Sequence, residues 1–393
     1  MTILIHYAEI ALKGKNRAFF ERKLLENIKG KFEEIKDARV KKLRGRIILA
    51  LPQQEIGKAE VKRRLKQVFG IAWFAFALRI ESKLEKIKTL VKQSAQKISS
   101  KQTFAIRVKR ADKSFPLQSS KVEQILGKLV EDITKATVNL TKPDKTLFLE
   151  INQEQTFVFW EKIKGLGGLP VGVSGKVICL FSGGIDSAVA AYLLAKRGAK
   201  PILVHFSAIP VQKVKKNKII KIYKKLQKYI GETKLYIIPY DYFQLSLLEN
   251  STPEVLRSSP RGWNPRYEVL LFRRFMRKVA EKIAQKEKAQ AIATGDSLGQ
   301  VASQTLENLA IFDKGAGLPI FRPLLGYDKQ EIVNLAKKIG TYQLSILPYK
   351  DCCSIIQKTP ITRGKLDKIA KLEKEIEMEK IVERSLKDLT MAV

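Results

Sequence analysis

One strand-to-helix junction constrains the fold of this 393-residue chain more than any other segment. The apolar run 177–181 leads into SGGIDS (182–187), and an alanine- and leucine-rich stretch with helical spacing follows. Two glycines at such a turn let backbone N–H groups converge, and the following helix offers the positive end of its dipole to an anion. Asp186 adds a carboxylate that can hold Mg²⁺ beside phosphates. The segment therefore predicts a phosphate-binding turn in an α/β domain.

The pattern beyond this turn predicts a doubly wound parallel sheet. Short apolar strands alternate with long helices, with strands at 177–181, 201–206, 234–239 and 290–294, and helices at 186–197, 211–230 and 265–286. In such a fold ligands bind at the carboxyl ends of the strands, which is where SGGIDS lies. The sequence contains no GxxxxGK[ST] motif, which argues against an NTPase that cleaves at the γ-phosphate.

The front half of the chain has a different organisation, which predicts mixed α+β structure. Residues 2–80 read as β-α-β-β-α-β, the order of a ferredoxin-like domain. A second block of alternating helices and strands follows as far as residue 160. The glycine-rich segment 164–176, which contains Pro170, is the clearest linker in the chain.

Charge points to a polyanionic partner. The chain has 74 Lys and Arg against 39 Asp and Glu, a net charge of +35, and the basic residues are spread over every segment. Such an excess creates a field that attracts nucleic acid. No stretch approaches the ~18 apolar residues of a membrane span, and the N-terminus does not read as a secretory signal. Three cysteines without a CxxC pair fit a reducing compartment, so we expect a cytoplasmic protein without membrane attachment.

Several further segments identify a family. They are EIALKGKNRAFFE (9–21), GLGGLPVGVSGK (165–176), IATGDSLGQVASQTLENL (292–309), RPLLGYDKQE (322–331) and DCCS (351–354). Together with SGGIDS, which resembles the pyrophosphate loop of ATP pyrophosphatases, they resemble the tRNA 4-thiouridine synthetase family, also called tRNA sulfurtransferases. The resemblance covers essentially the whole chain in the same order.

This resemblance implies three domains and a reaction. The domains are an N-terminal ferredoxin-like domain (1–75), a THUMP RNA-binding domain (76–168) and a PP-loop ATP pyrophosphatase domain (169–393). The implied reaction adenylates O4 of the uridine at position 8 of tRNA, replaces the oxygen with persulfide-derived sulfur to give 4-thiouridine, and releases AMP and pyrophosphate. Adenylation turns a poor leaving group into AMP, while a basic surface holds the tRNA and the base is turned out. The implied cofactors are ATP and Mg²⁺ near Asp186, and the implied partners are tRNA and a second copy of the chain in a homodimer.

The resemblance also assigns the site position by position. The ATP contacts it implies are Leu180, Phe181, Ser182, Gly183, Gly184, Asp186, Ser187, His205, Phe206, Arg273, Gly295 and Gln304. Asp186 and Lys329 have implied catalytic roles, and Lys329, preceded by Asp328, would offset charge that develops on the phosphates. From the residues alone, His205 equally fits a buried core histidine, while Arg273 and Gln304 fit ordinary polar helix positions.

The cysteines are assigned separately. A thiolate can accept sulfane sulfur, whose terminal atom can then attack C4 of the base. The catalytic cysteine of longer relatives falls on Cys353, with the adjacent Cys352 as the alternative, whereas Cys179 lies within a strand and reads as a small buried hydrophobe. Those relatives also carry a C-terminal rhodanese domain. Because this sequence shows no such domain, we expect sulfur to come from a cysteine desulfurase or another external donor.

Two other classes of function remain as alternatives. The first is another PP-loop tRNA-modifying ligase or thiolase that acts on a different nucleoside, such as a lysidine-type ligase, but EIALKGKNR and DCCS would then be unexplained. The second is an RNA-binding protein without catalysis, which would have no use for SGGIDS or for TGDSLGQ at 294–300. Both are less favoured than the thiolation enzyme.

Overall fold

The computed structural model describes residues 1–43, 45–214, 217–249, 265–349 and 360–392. The chain forms two compact units, Met1–Gly168 and Leu169–Val393. Each unit encloses hydrophobic clusters of its own. The sequence predicted mixed α+β structure in the first half of the chain and an α/β fold in the second half, and both predictions are confirmed.

The first unit contains nine strands and four α-helices within its described residues. The strands are β1 (Thr2–Tyr7), β2 (Arg39–Leu43), β3 (Arg46–Ala50), β4 (Ile71–Glu81), β5 (Thr103–Arg110), β6 (Thr137–Val138), β7 (Lys145–Ile151), β8 (Gln155–Phe159) and β9 (Ile163–Lys164). The helices are α1 (Arg17–Lys29), α2 (Lys58–Leu65), α3 (Leu84–Ala95) and α4 (Ser119–Thr134).

All nine strands belong to one sheet. Its order is β2-β3-β1-β4-β8-β7-β5-β6, and β9 pairs with β4. The long strand β4 joins the two halves because residues from Ile71 to Ala77 pair with β1 while Leu78–Glu81 pair with β8. The predicted domain boundary at 75–76 falls inside this strand. The first four strands have the predicted ferredoxin-like order.

Side chains that alternate along the strands bury one face of this sheet under the helices. Ile3 and Ile5 of β1 pack with Leu24 and Ile28 of α1 in one cluster. A second cluster joins β5 and β7 to the apolar faces of α3 and α4. Apolar residues that recur every two positions in the strands and about every 3.6 positions in the helices therefore face the same hydrophobic core.

The second unit contains a six-stranded sheet in the part of the chain that the structure describes. The strands are β10 (Lys176–Leu180), β11 (Lys200–Ser207), β12 (Leu235–Pro239), β13 (Ala291–Ala293), β14 (Ile320–Phe321) and β15 (Thr390–Met391). The α-helices are α5 (Ile185–Lys196), α6 (Val211–Val214), α7 (Lys218–Ile230), α8 (Asp241–Glu249), α9 (Glu268–Glu287), α10 (Leu306–Asp313), α11 (Lys329–Ile339), α12 (Tyr342–Ser345), α13 (Leu366–Glu375) and α14 (Met378–Lys387).

The order of this sheet is β14-β13-β10-β11-β12-β15, and β10 to β14 pair in parallel. Alternate residues of the central strands are buried on both faces, as for Ile178 and Cys179 of β10. Helix α9 covers the face that carries Ile178. The predicted parallel sheet is therefore confirmed, and the phosphate-binding turn follows its central strand.

One detail differs from the sequence-based expectation. The single helix expected over 211–230 is instead α6 and α7, because the Asn217 side chain caps α7 by accepting the Ile219 N–H at 3.0 Å. The charged C-terminal helices pack on the second unit: Ile369 and Val382 are buried in the same cluster as α9. Helices α13 and α14 therefore complete the hydrophobic core of the second unit.

No helix among the described ranges is long and apolar enough to cross a membrane.

Candidate active site

The turn after β10 has the geometry that an anion site needs. Gly183 has a φ of +76°, and a Cβ there would lie 2.2 Å from Cδ1 of Ile219, so only glycine fits. Gly184 is the extended N-cap residue of α5. Its N–H donates to the Ser182 hydroxyl at 3.2 Å, and the Ser187 hydroxyl donates back to the Gly184 carbonyl at 3.3 Å. The turn is thus already shaped at the N-terminus of a helix.

Asp186 stands in the first turn of α5 and is held on both carboxylate oxygens. The Lys329 ammonium lies 2.7 Å from Oδ1, and the Gln300 amide nitrogen donates to Oδ2 at 2.9 Å. The Asp186 side chain is 23% exposed and that of Lys329 is 51% exposed, so both are reachable by a ligand. The structure therefore brings together two of the residues predicted to be catalytic, although 143 positions separate them in the chain.

Lys329 is positioned by the N-terminus of helix α11. Asp328 is the N-cap of α11 and forms a capping box with Glu331: its carboxylate accepts the Glu331 N–H at 2.8 Å, and Glu331 accepts the Asp328 N–H at 3.0 Å. Two backbone donors are thereby satisfied and the direction of the first turn is fixed. Asp328 thus acts in the structure as a helix cap that presents Lys329 to Asp186.

Gly295 lies where the loop after β13 meets α5. A Cβ on Gly295 would lie 2.9 Å from the carbonyl carbon of Asp186 and from the nitrogen of Ser187. Glycine is needed because two backbones approach each other directly at the phosphate-binding turn. The requirement for glycine has this structural cause, separate from the nucleotide contact that the family resemblance implies.

The next residue, Asp296, is the centre of a buried ionic network. The Arg273 guanidinium binds both of its oxygens, at 2.9 and 2.7 Å, and Thr294 donates to it at 2.7 Å. The Arg322 and Gln304 side chains approach it at 3.4 and 3.3 Å. Arg273 and Gln304, both predicted to contact ATP, are placed here as partners of a buried carboxylate.

The electrostatics of this network favour the ionised aspartate. Burial by itself would raise the pKa of Asp296, but the charges of Arg273 and Arg322 and the hydrogen bonds from Arg273 and Thr294 outweigh it and hold the pKa at about 2. The Arg273 guanidinium also lies over the Phe312 ring, 4.8 Å from its centroid. The carboxylate is therefore a permanent anchor for both arginines at neutral pH.

His205 lies near the end of β11 and is fully buried, with both ring nitrogens in hydrogen-bond range. Nδ1 lies 2.8 Å from the Phe181 carbonyl, and Nε2 lies 2.8 Å from the Tyr349 hydroxyl. Because a carbonyl only accepts, Nδ1 carries the proton that is donated to Phe181, and Nε2 shares its hydrogen bond with the Tyr349 hydroxyl. Burial and these two hydrogen bonds fit a hydrogen-bonded core histidine whose ring connects the end of β10 to Tyr349, and the ATP contact of His205 stays a prediction.

Two further predicted contacts lie at the same strand ends. Leu180 is half-buried against the main cluster of the second unit. Phe206 is buried, and its ring packs edge-on against Phe272 and Phe275. The Phe206 side chain therefore belongs to the core, and contact with a nucleotide at this position would fall to its backbone.

Among the three cysteines, the structure describes Cys179. Its side chain is buried in β10, and burial raises the pKa of its thiol to about 12. A thiol of this kind is unreactive at neutral pH, so the prediction of a small buried hydrophobe is confirmed. Cys352 and Cys353, the predicted sulfur carriers, lie outside the described residues.

The sequence did not point to several residues that build this site. Asp296, Gln300, Arg322 and Tyr349 were absent from the predicted set, yet each contacts one of its members or their network. Asp296 had a usable signal, since an acidic residue directly after a buried strand lies at the ligand-binding edge of a parallel sheet. No group of three or more His, Cys, Asp or Glu side chains among the described positions is arranged to hold a metal ion.

A glycine turn at the carboxyl end of a central parallel strand, with an Asp–Lys pair beside it, defines the second unit as a PP-loop nucleotide-binding domain. Family models agree along the chain. The model described as thiamine biosynthesis protein (ThiI) matches residues 172–378, the ThiI ferredoxin-like domain matches residues 2–75, and the THUMP domain matches residues 81–161.

Two relatives match nearly the whole length of the chain. It is 40% identical over 384 residues to a protein of Thermoanaerobacter pseudethanolicus named "Probable tRNA sulfurtransferase", with 97% of each chain covered. A relative of the same name from Brevibacillus brevis is 38% identical over 385 residues, covering 97% of this chain and 93% of the relative. The chain belongs to the tRNA sulfurtransferase (ThiI) family.

One solved structure supports the same assignment, and a second shows the same fold. The crystal structure of a 4-thiouridine synthetase–RNA complex with bound ATP has a TM-score of 0.84 and 32% identity, covering 99% of this chain and 98% of that one. A protein from Pyrococcus horikoshii shares the fold, with a TM-score of 0.66 at 23% identity over 86% of this chain and 99% of that one.

Proposed function

We propose that this protein uses ATP to convert the uridine at position 8 of tRNA into 4-thiouridine. The observation that carries the proposal is the preformed SGGIDS turn with Asp186 paired to Lys329, in a chain whose similarity to tRNA sulfurtransferases covers 97% of its length. A tRNA-modifying enzyme of this kind needs a nucleotide site and an RNA-binding region, and the chain matches family models for both.

The first step activates the base. The uracil O4 attacks the α-phosphorus of ATP, and the bond to pyrophosphate breaks, so that the base carries AMP on its former carbonyl oxygen. The N–H groups of the turn and the positive end of α5 stabilise the charge on the departing pyrophosphate, and Lys329 offsets charge on the phosphates. Asp186, a carboxylate beside this turn, would hold Mg²⁺, and the metal would supply positive charge that screens the phosphates.

The second step transfers sulfur. The outer sulfur of a cysteine persulfide attacks C4, and AMP leaves with the former O4. A second thiol then attacks the inner sulfur, which leaves the outer sulfur on C4 and forms a disulfide. We assign the persulfide to Cys353 or its neighbour Cys352, loaded by a cysteine desulfurase or another external donor.

The first unit supplies the RNA-binding surface in this proposal. It contains the residues that match the THUMP model, 81–161, and the protein has a net charge of +35 with which to attract the tRNA backbone. The basic surface positions the tRNA while the uridine leaves its stacked position. The homodimer, the three domain boundaries and the cytoplasmic location stay predictions.

A reconstituted reaction tests the proposal. Purified protein is incubated with a tRNA transcript, ATP·Mg²⁺, cysteine and a cysteine desulfurase, and the digested tRNA is analysed by liquid chromatography and mass spectrometry. We expect 4-thiouridine at position 8 with one AMP released per thiolated base, and none in a matched transcript with cytidine at that position. Modification of a different nucleoside would favour the alternative PP-loop enzyme, and release of AMP without any modified base would contradict sulfur transfer.

A further inference from the structure

Gln300 holds the oxygen of Asp186 that Lys329 leaves uncontacted. Its amide nitrogen donates to Oδ2 at 2.9 Å, while the Lys329 ammonium lies 2.7 Å from Oδ1. One oxygen of the Asp186 carboxylate therefore accepts a hydrogen bond from a neutral amide, and the other contacts a cation. Neither the sequence pattern nor the family resemblance assigned a role to Gln300.

The loop that carries Gln300 is braced so that the contact is rigid. The Gly299 N–H donates to the Gln304 carbonyl at 2.9 Å, within a turn that Gly299 allows with a φ of +71°. The Ser297 hydroxyl donates to the Tyr327 carbonyl at 2.8 Å, two residues before Lys329. The two groups that grip Asp186 therefore sit on segments tied to each other, which sets their separation.

The orientation of the Gln300 amide is fixed by its partner. A carboxylate only accepts hydrogen bonds, so the amide nitrogen must face Asp186 and the amide oxygen must face away. That oxygen is buried and accepts no hydrogen bond from the described part of the chain. A buried polar atom without a hydrogen-bond partner is unfavourable, so it calls for an explanation. The explanation here is that the amide nitrogen must face Asp186, which turns the amide oxygen away from it.

We propose that Gln300 is a positioning residue that keeps Asp186 oriented when Lys329 turns from the carboxylate to the phosphates of ATP. The inference rests on the proposed use of ATP at this turn. A triphosphate carries more negative charge than one carboxylate and competes for the ammonium, whereas a neutral amide is not drawn away in the same manner. Asp186 thus retains one fixed hydrogen bond throughout the first step.

Two substitutions separate this role from simple packing. Gln300→Glu keeps the size and shape of the side chain but sets a carboxylate against Asp186, whereas Gln300→Ala removes both the shape and the hydrogen bond. Gln330→Ala is the matched control, because Gln330 is an exposed amide next to Lys329 that bonds to Asn334 instead. Thermal unfolding and tRNA affinity are measured for every variant to confirm that each is folded.

The readouts are ATP affinity by calorimetry without tRNA and single-turnover pyrophosphate release with tRNA. We expect Gln300→Ala to slow pyrophosphate release by up to about 100-fold, the scale of a misplaced reacting group. Gln300→Glu should be slower still and should bind ATP more weakly than Gln300→Ala, while Gln330→Ala matches the unmodified protein. If Gln300→Glu equals the unmodified protein and Gln300→Ala is the worse variant, Gln300 only fills space and the inference is wrong.

Failure of the proposed function would look different. In that case the unmodified protein would bind ATP and yet form no thiouridine, and the order of ATP affinities among the variants would still report on Gln300. Unchanged ATP affinity and pyrophosphate release in both Gln300 variants would overturn the positioning role even if thiouridine forms normally.

Discussion

Replacing Asp296 with asparagine should destabilise the second unit more than any comparable change at its surface. The carboxylate is buried, accepts hydrogen bonds from both terminal guanidinium nitrogens of Arg273, and lies 3.4 Å from the Arg322 guanidinium. An asparagine side chain at this position would fit the same space but would leave buried guanidinium charge without its anion. Breaking a buried pair by removing one partner costs about 3–5 kcal/mol. We expect Asp296→Asn to lower the free energy of unfolding by about 3 kcal/mol, since the amide oxygen still accepts one hydrogen bond.

The same residue gives the protein a defined acid sensitivity. Its folded pKa of about 2 lies below the ordinary value of 3.8, so the stabilisation is complete above about pH 5 and is lost as the pH falls towards 2. The difference corresponds to about 2 kcal/mol. Asp296→Asn should remove this part of the acid dependence, so the unfolding free energies of the two proteins should converge as the pH falls from about 5 to about 2.

Urea titrations followed by circular dichroism at several pH values measure both effects. Asp313→Asn is the matched control: Asp313 also pairs with Arg322, but its side chain is 44% exposed, so its loss should cost less than about 1 kcal/mol. A loss of under about 1 kcal/mol for Asp296→Asn at neutral pH, or an unchanged acid dependence, would refute the interpretation of Asp296 as the anchor of the network.

Three further predictions concern the reaction. Asp186→Ala should abolish formation of AMP and pyrophosphate but change tRNA affinity by less than about threefold, because the residue lies at the phosphate-binding turn; filter binding and pyrophosphate release check it. Residues 1–168 alone should bind tRNA with an affinity whose logarithm falls linearly with the logarithm of salt concentration, and salt-insensitive binding would count against this. The double substitution Cys352→Ser with Cys353→Ser should spare adenylation and eliminate thiouridine; full thiolation by that variant would point to attack by external sulfide.

The sequence predicted those parts of the structure that depend on local pattern. The SGGIDS turn, the alternation of strands and helices, and the ferredoxin-like order were readable because each is set by glycine placement or by apolar periodicity. Asp186 and Lys329 were predicted through family motifs, and the structure brings them within 2.7 Å. The split between α6 and α7 was missed because a side-chain cap at Asn217 interrupts a continuous apolar period.

Tertiary contacts were the part that the sequence could not provide. The role of Arg273 depends on Asp296, which lies 23 positions away, and that of Gln300 depends on Asp186, 114 positions away. Polar residues of this kind look like solvated positions until the fold brings their partners together. His205 illustrates the same limit, since its hydrogen bond to Tyr349 joins chain segments that are 144 positions apart.

The fate of the uracil oxygen tests the central claim most directly. A tRNA carrying ¹⁸O at O4 of the uridine at position 8 is thiolated with unlabelled ATP in unlabelled water, and AMP and pyrophosphate are analysed by mass spectrometry. Because O4 attacks the α-phosphorus and leaves with it, the account predicts one ¹⁸O in each AMP and none in pyrophosphate. Thiouridine formed with unlabelled AMP would show that the base is not activated through its oxygen, and would contradict the account.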